Sequence, residues 1–107
     1  MKLILAIVNN DDAGDVADTL TKENFQITKV ATTGGFLKIG NTTLILGVED
    51  QDLDKAINLI GSVAKRRTAV VPVTASYDTS RLTSFPMEVQ VGGATVFVLD
   101  VEQFIKL

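Results

Sequence analysis

One feature of the sequence constrains the fold more than any other. A β-type run is followed by a helical pattern and then by a second β-type run, and this order occurs twice. Residues 3–8 are all apolar, and behind a polar Asn-Asn-Asp-Asp run the apolar residues recur at helical spacing. Residues 25–30 begin with the apolar-polar alternation of a strand that has one solvated face. The order then repeats, with a strand at 41–48, a helical pattern that begins near Asp50, and a strand at 68–73.

The order strand, helix, strand, strand, helix, strand predicts an α+β, ferredoxin-like sandwich, in which two helices cover one face of a four-stranded antiparallel sheet. Two later β-type runs, 87–91 and 94–99, are separated by Gly92-Gly93, a pair that indicates either a hairpin turn, and thus an additional β-hairpin, or a β-bulge. The polar segment 74–85 predicts a long variable loop. We expect copies of the chain to cover the other sheet face, because large open apolar surfaces favour association.

Length and composition exclude several classes of protein. The 107 residues suit one domain, 1–107, and they include no cysteine and no histidine. Disulfides, Cys/His zinc sites and histidine-dependent triads are therefore excluded. A net charge of −3 argues against binding to a nucleic-acid polymer. The first apolar run is too short to span a membrane, so we expect a cytoplasmic protein.

Charged residues give little indication of catalysis. The acidic pair Asp11-Asp12 stands at a predicted helix start, where carboxylates usually cap the helix. The basic run 65–67 follows the second helical pattern, where cations usually complement the helix dipole and stay solvated. We therefore expect no enzyme, no catalytic residue, no metal and no cofactor.

The connection at 31–43, ATTGGFLKIGNTT, has the chemistry of a nucleotide site. Its glycines can expose backbone N–H groups to an anion, and Phe36 offers a ring for base stacking. Asn41 offers both a donor and an acceptor, which matches an adenine edge. The alternative is an ordinary hairpin loop whose Phe36 and Leu37 pack into the core.

The strings KVATTGGFLKIGNTT at 29–43, GVED at 47–50 and VQVGGATVFVLDV closely resemble the PII-like cyclic di-AMP receptor family, and the resemblance spans essentially the whole chain. It implies a cytoplasmic homotrimer of PII-like subunits that binds cyclic di-AMP between neighbours and signals to a downstream protein whose identity is unknown. The residues that it assigns to the ligand are Gln26, Thr28, Gly35, Phe36, Leu37, Asn41 and Gly47. Thr28 would donate to a phosphate, Asn41 would read an adenine edge, and Gly47 would let the ligand approach the backbone.

The chain departs from the family pattern at three places near this site. Gln26 stands where the family commonly has arginine, and the 74–85 loop lacks a glycine pair. Lys106 replaces a family glutamine, and either Lys106 or Arg81 is a candidate for restoring the missing positive charge. Two alternatives stay open: a different adenine nucleotide such as ATP or ADP, or a trimeric interaction module whose site is degenerate.

Overall fold

The computed structural model describes residues 1–31, 40–74 and 84–107. These residues form six strands and two helices, and a 3-10 turn at Asp50–Asp52 leads into the second helix. The elements in chain order are β1 (Lys2–Asn9), α1 (Asn10–Lys22), β2 (Ile27–Ala31), β3 (Asn41–Val48), α2 (Leu53–Val63), β4 (Arg67–Thr74), β5 (Ser84–Val91) and β6 (Ala94–Asp100). In this part of the chain, no helix is long and apolar enough to cross a membrane.

The main sheet has four strands in the order β2-β3-β1-β6, and every pairing in it is antiparallel. The predicted strand 68–73 forms, as part of β4, but the prediction that it completes this sheet was wrong. It pairs instead with β5 in a separate two-stranded ribbon, where Pro72 lies opposite Pro86. Proline cannot donate a ladder hydrogen bond, so such a pairing fits a ribbon whose strands are both edges.

The predicted hairpin between 87–91 and 94–99 was also wrong. Gly92 and Gly93 do separate the two strands, and both have positive φ angles, of 79° and 82°. However, β5 belongs to the ribbon and β6 to the main sheet, so the glycines redirect the chain from one to the other. The ends of the predicted 74–85 loop are strand residues, at Thr74, Ser84 and Phe85, and the rest of that loop lies outside the described residues.

One face of the main sheet packs on α1 and α2. Alternate residues of β1 and β3 point to this side and are almost fully buried with apolar residues of both helices. The largest fully buried side chains here are Ile4, Val8, Val16, Leu20, Leu44, Leu46 and Ile60. This is the helix-covered layer that the sequence pattern predicted.

No helix of the described chain covers the opposite face of the sheet, which we call the open face. The strand register places Thr28, Ile45, Leu5 and Phe97 in one row across it. The neighbouring rows add apolar side chains on both sides. The apolar residues of the open face are Leu3, Leu5, Ile7, Val30, Ile45, Phe97 and Leu99, of which Val30, Phe97 and Leu99 are 39–45% exposed.

Candidate ligand-binding site

A pocket of about 510 Å³ lies at one end of the open face and contains three of the predicted ligand residues. Its lining residues are Met1, Gln26, Ile27, Thr28, Ile45, Gly47, Phe104 and Lys106. We call it the β2–β3 pocket. Gln26, Thr28 and Gly47 come together because Thr28 pairs with Ile45, two residues from Gly47 on the adjacent strand.

The end of α1 sets where β2 begins and therefore where Gln26 and Thr28 stand. Asn24 has a φ of 67°, and its N–H donates to the carbonyl of Thr21 at 3.0 Å. The N–H of Phe25 donates to the carbonyl of Leu20, also at 3.0 Å. Together these bonds form a Schellman motif with asparagine at the left-handed position. The turn delays the strand, so that β2 starts at Ile27 and not at the predicted residue 25.

Gly47 gives the pocket a wall without a side chain. It is exposed, and its φ lies outside the left-handed region. A Cβ placed there would meet only Met1 Sδ, at 3.9 Å, which is an ordinary contact. The fold therefore has room for a larger residue at this position, and the predicted approach of a ligand to the Gly47 backbone stays a prediction.

Charge distinguishes the β2–β3 pocket from its neighbour. A second pocket, of about 340 Å³, shares Gln26 and Gly47, but Glu23, Glu49 and Asp52 also line it. Its amine, on Lys55, is paired with Glu23 at 3.0 Å. No described residue that lines the β2–β3 pocket is acidic, and Lys106 brings a cation to it. An anionic ligand therefore fits the β2–β3 pocket better.

Asn41 does not join Gln26, Thr28 and Gly47 within one subunit. It lies at the opposite end of β3, about 20 Å from Gly47 at the usual strand rise. There it lines a separate pocket of about 430 Å³ together with Arg66, Gln90 and Gly93. The predicted contact between Asn41 and an adenine edge stays a prediction.

Gly35, Phe36 and Leu37 lie outside the described residues, so their predicted contacts with the ligand also stay predictions. The end of their connection is fixed to α1. The N–H of Asn10 donates to the carbonyl of Gly40 at 2.8 Å, and the hydroxyl of Thr42 donates to Asn10 Oδ1.

Sequence reasoning missed a contact between the acidic pair that it assigned to helix capping and the basic run that it treated as solvated. Arg67 donates through both terminal nitrogens to the Asp12 carboxylate, at 2.8 Å and 3.3 Å. Asp12 is buried, whereas the Asn9 side chain accepts from the N–H of Asp11 and caps the helix. The sequence carried no signal for this pair, because it joins residues of separate elements far apart in the chain.

Within the described ranges, no group of three or more acidic side chains could hold a metal ion.

Comparison with known proteins gives a consistent set of similarities. The family model described as "Cyclic-di-AMP receptor" matches residues 1–107. The "Nitrogen fixation nifHD region GlnB-like protein 1" of Methanothermococcus thermolithotrophicus is 30% identical over 96 residues, covering 72% of this chain and 91% of the relative. A crystal structure of a functionally unknown protein from Pediococcus pentosaceus is 38% identical with a TM-score of 0.77, covering 99% of this chain and 96% of that one.

Proposed function

The chain belongs to the cyclic-di-AMP receptor family, and we propose that it is a PII-like signalling protein that binds cyclic di-AMP between the subunits of a homotrimer. The observation that carries the proposal is the convergence of Gln26, Thr28 and Gly47 on one pocket whose described lining residues include no carboxylate. The Thr28 hydroxyl can donate to a phosphate oxygen, and the Gln26 amide can donate to and accept from a base. A volume of about 510 Å³ suits a ligand of nucleotide size.

The open face supports the proposed interface. Gln26, Thr28 and Gly47 are all exposed in one subunit, so a ligand bound there would keep one side in water. The open face continues from this pocket into the apolar row of Ile45, Leu5 and Phe97. A neighbouring subunit packed on that row would bury apolar surface and close the pocket from its open side.

The relay to a partner requires that the ligand prefer one arrangement of the protein over another. We propose that the ligand contacts the connection at 31–43 through Phe36 and Leu37 and thereby changes the surface that a protein partner recognises. The fixed end of this connection, at Gly40 and Thr42, is bonded to the start of α1. One end of the connection would therefore stay attached to the start of α1 when the ligand binds.

Calorimetric titration with cyclic di-AMP, ATP and cyclic di-GMP tests the proposal. We expect saturable binding of cyclic di-AMP at one ligand per subunit and no comparable binding of the other two. Binding of ATP instead would favour the alternative adenine nucleotide. No heat with any of them at about 1 mM, where a site of about −4 kcal/mol is half filled, would overturn the proposal and favour the interaction module.

A further inference from the structure

Lys106 is the cationic side chain that the fold brings to the β2–β3 pocket without an ion-pair partner in the described chain. The other amine at this pocket is the N-terminal ammonium of Met1, which is paired with Asp50 at 3.0 Å. Phe104 and Lys106 both line the pocket, whereas Ile105 between them does not. This alternation is typical of extended chain, in which successive side chains point to opposite sides.

A cyclic dinucleotide carries two phosphodiester charges, and this protein carries a net charge of −3. The adjoining pocket, which shares Gln26 and Gly47, adds the carboxylates of Glu23, Glu49 and Asp52. Gln26 can form hydrogen bonds with the ligand but cannot neutralise it. A bound dianion therefore needs a cation from elsewhere, and Lys106 stands in the same pocket as Thr28 and Gly47.

We propose that Lys106 pairs with a phosphodiester of the bound ligand and makes the β2–β3 pocket selective for an anionic nucleotide over an uncharged nucleoside. The Thr28 hydroxyl and the Lys106 ammonium would then share one phosphodiester group, a neutral donor beside a charged one. This assignment rests on the proposed function, since it names the anion-binding group of that site.

The test compares Lys106→Gln, Lys106→Arg and a control, Lys22→Gln, which changes an exposed lysine at the end of α1. Calorimetry gives Kd for cyclic di-AMP at about 50 mM and about 500 mM salt, which change the screening length severalfold. We expect Lys106→Gln to raise Kd about tenfold at low salt and less at high salt. The Kd of Lys106→Arg should stay within about threefold of the Kd of the unmodified protein, because the charge is kept. The Kd of the control should equal that of the unmodified protein.

Adenosine serves as the uncharged probe. Its binding should be the same in the unmodified protein and in Lys106→Gln, because it presents no phosphate to the lysine. An equal loss for adenosine and cyclic di-AMP would show that Lys106 acts by packing and would overturn the charge assignment. Equal affinity of Lys106→Gln and unmodified protein for cyclic di-AMP at both salt concentrations would also overturn it. If the unmodified protein does not bind cyclic di-AMP, the proposed function itself fails.

Discussion

Gly47 is an exposed strand residue, and the fold of the subunit does not require glycine at this position. Its backbone has no positive φ, and a Cβ would make one ordinary contact, to Met1 Sδ. Glycine inside a strand is otherwise unfavourable, because it loses backbone entropy on folding and packs no side chain. The fold therefore does not explain the glycine, whereas the proposed close approach of a ligand would explain it.

Gly47→Ala should separate these two explanations. We expect unfolding free energy to stay unchanged or to rise by up to about 1 kcal/mol, and affinity for cyclic di-AMP to fall at least about tenfold. Urea unfolding and calorimetry measure the two quantities. Gly61→Ala is the control, because an added Cβ at Gly61 in α2 would meet no neighbouring atom and Gly61 does not line the pocket. Unchanged affinity in Gly47→Ala would contradict the close approach.

Asn24 shows how one backbone angle positions the site. Its left-handed φ of 67° costs little for glycine, somewhat more for asparagine, and about 1 kcal/mol or more for alanine. We therefore expect Asn24→Gly to raise the unfolding free energy by up to about 1 kcal/mol and Asn24→Ala to lower it by a similar amount, as measured by urea titration. The same loss for both variants would mean that the asparagine side chain, and not the turn, stabilises this corner.

At the scale of elements, local periodicity predicted the strands and helices but not all of their partners. The alternation and apolar runs of β1 to β4 are local signals, and the structure confirms each of these elements. The choice of β6 over β4 as the fourth strand depends on non-local pairing, which a two-residue period does not encode. The convergence of Thr28 and Gly47 depends on the β2–β3 register, and only the family resemblance indicated it in advance.

The ion pair between Asp12 and Arg67 joins α1 to the base of the ribbon. The Asp12 carboxylate raises the pKa of Arg67 by hydrogen bonding and by charge. Gly92 packs against this pair, since a Cβ there would lie 2.5 Å from an Arg67 nitrogen. The connection to the ribbon is therefore fixed by a charged contact between elements and not by the apolar core alone.

Removing one member of this pair should destabilise the subunit, because the buried Asp12 or its partner is left uncompensated. We expect Asp12→Asn and Arg67→Gln each to lower the urea midpoint, and the double variant to lose less than the two single losses added together. Asp15→Asn, an exposed change on the same helix, is the control and should have little effect. Additive losses would contradict a direct coupling.

At the scale of the whole molecule, the open face is an apolar surface that no helix of the described subunit covers. Phe97 and Leu99 are 44% and 45% exposed, whereas Ile4, Ala6, Leu44 and Leu46 of the central strands, on the other face, are at most 1% exposed. A large exposed apolar patch on a domain usually marks a surface that a partner or another copy covers. Assembly and ligand binding would then depend on the same surface, because the β2–β3 pocket opens at its edge.

Phe97→Gln should weaken the proposed trimer, because it places an amide in the apolar row that a neighbour would cover. At micromolar concentrations we expect sedimentation velocity to show monomers of Phe97→Gln and trimers of the unmodified protein, and we expect cyclic di-AMP affinity to fall with assembly. Ile105→Gln, an exposed apolar position outside the pocket lining, is the control. An intact Phe97→Gln trimer would show that the open face is not the interface.

The most direct measurement is a two-dimensional ¹⁵N–¹H spectrum of the assembled protein during titration with cyclic di-AMP. We expect the largest shifts at the amides of Thr28, Gly47 and Lys106, while the amide of Gly61 on the remote helix stays in place. Large shifts elsewhere with these amides unmoved would contradict the β2–β3 pocket as the site. A spectrum that does not change at saturating ligand would contradict binding altogether.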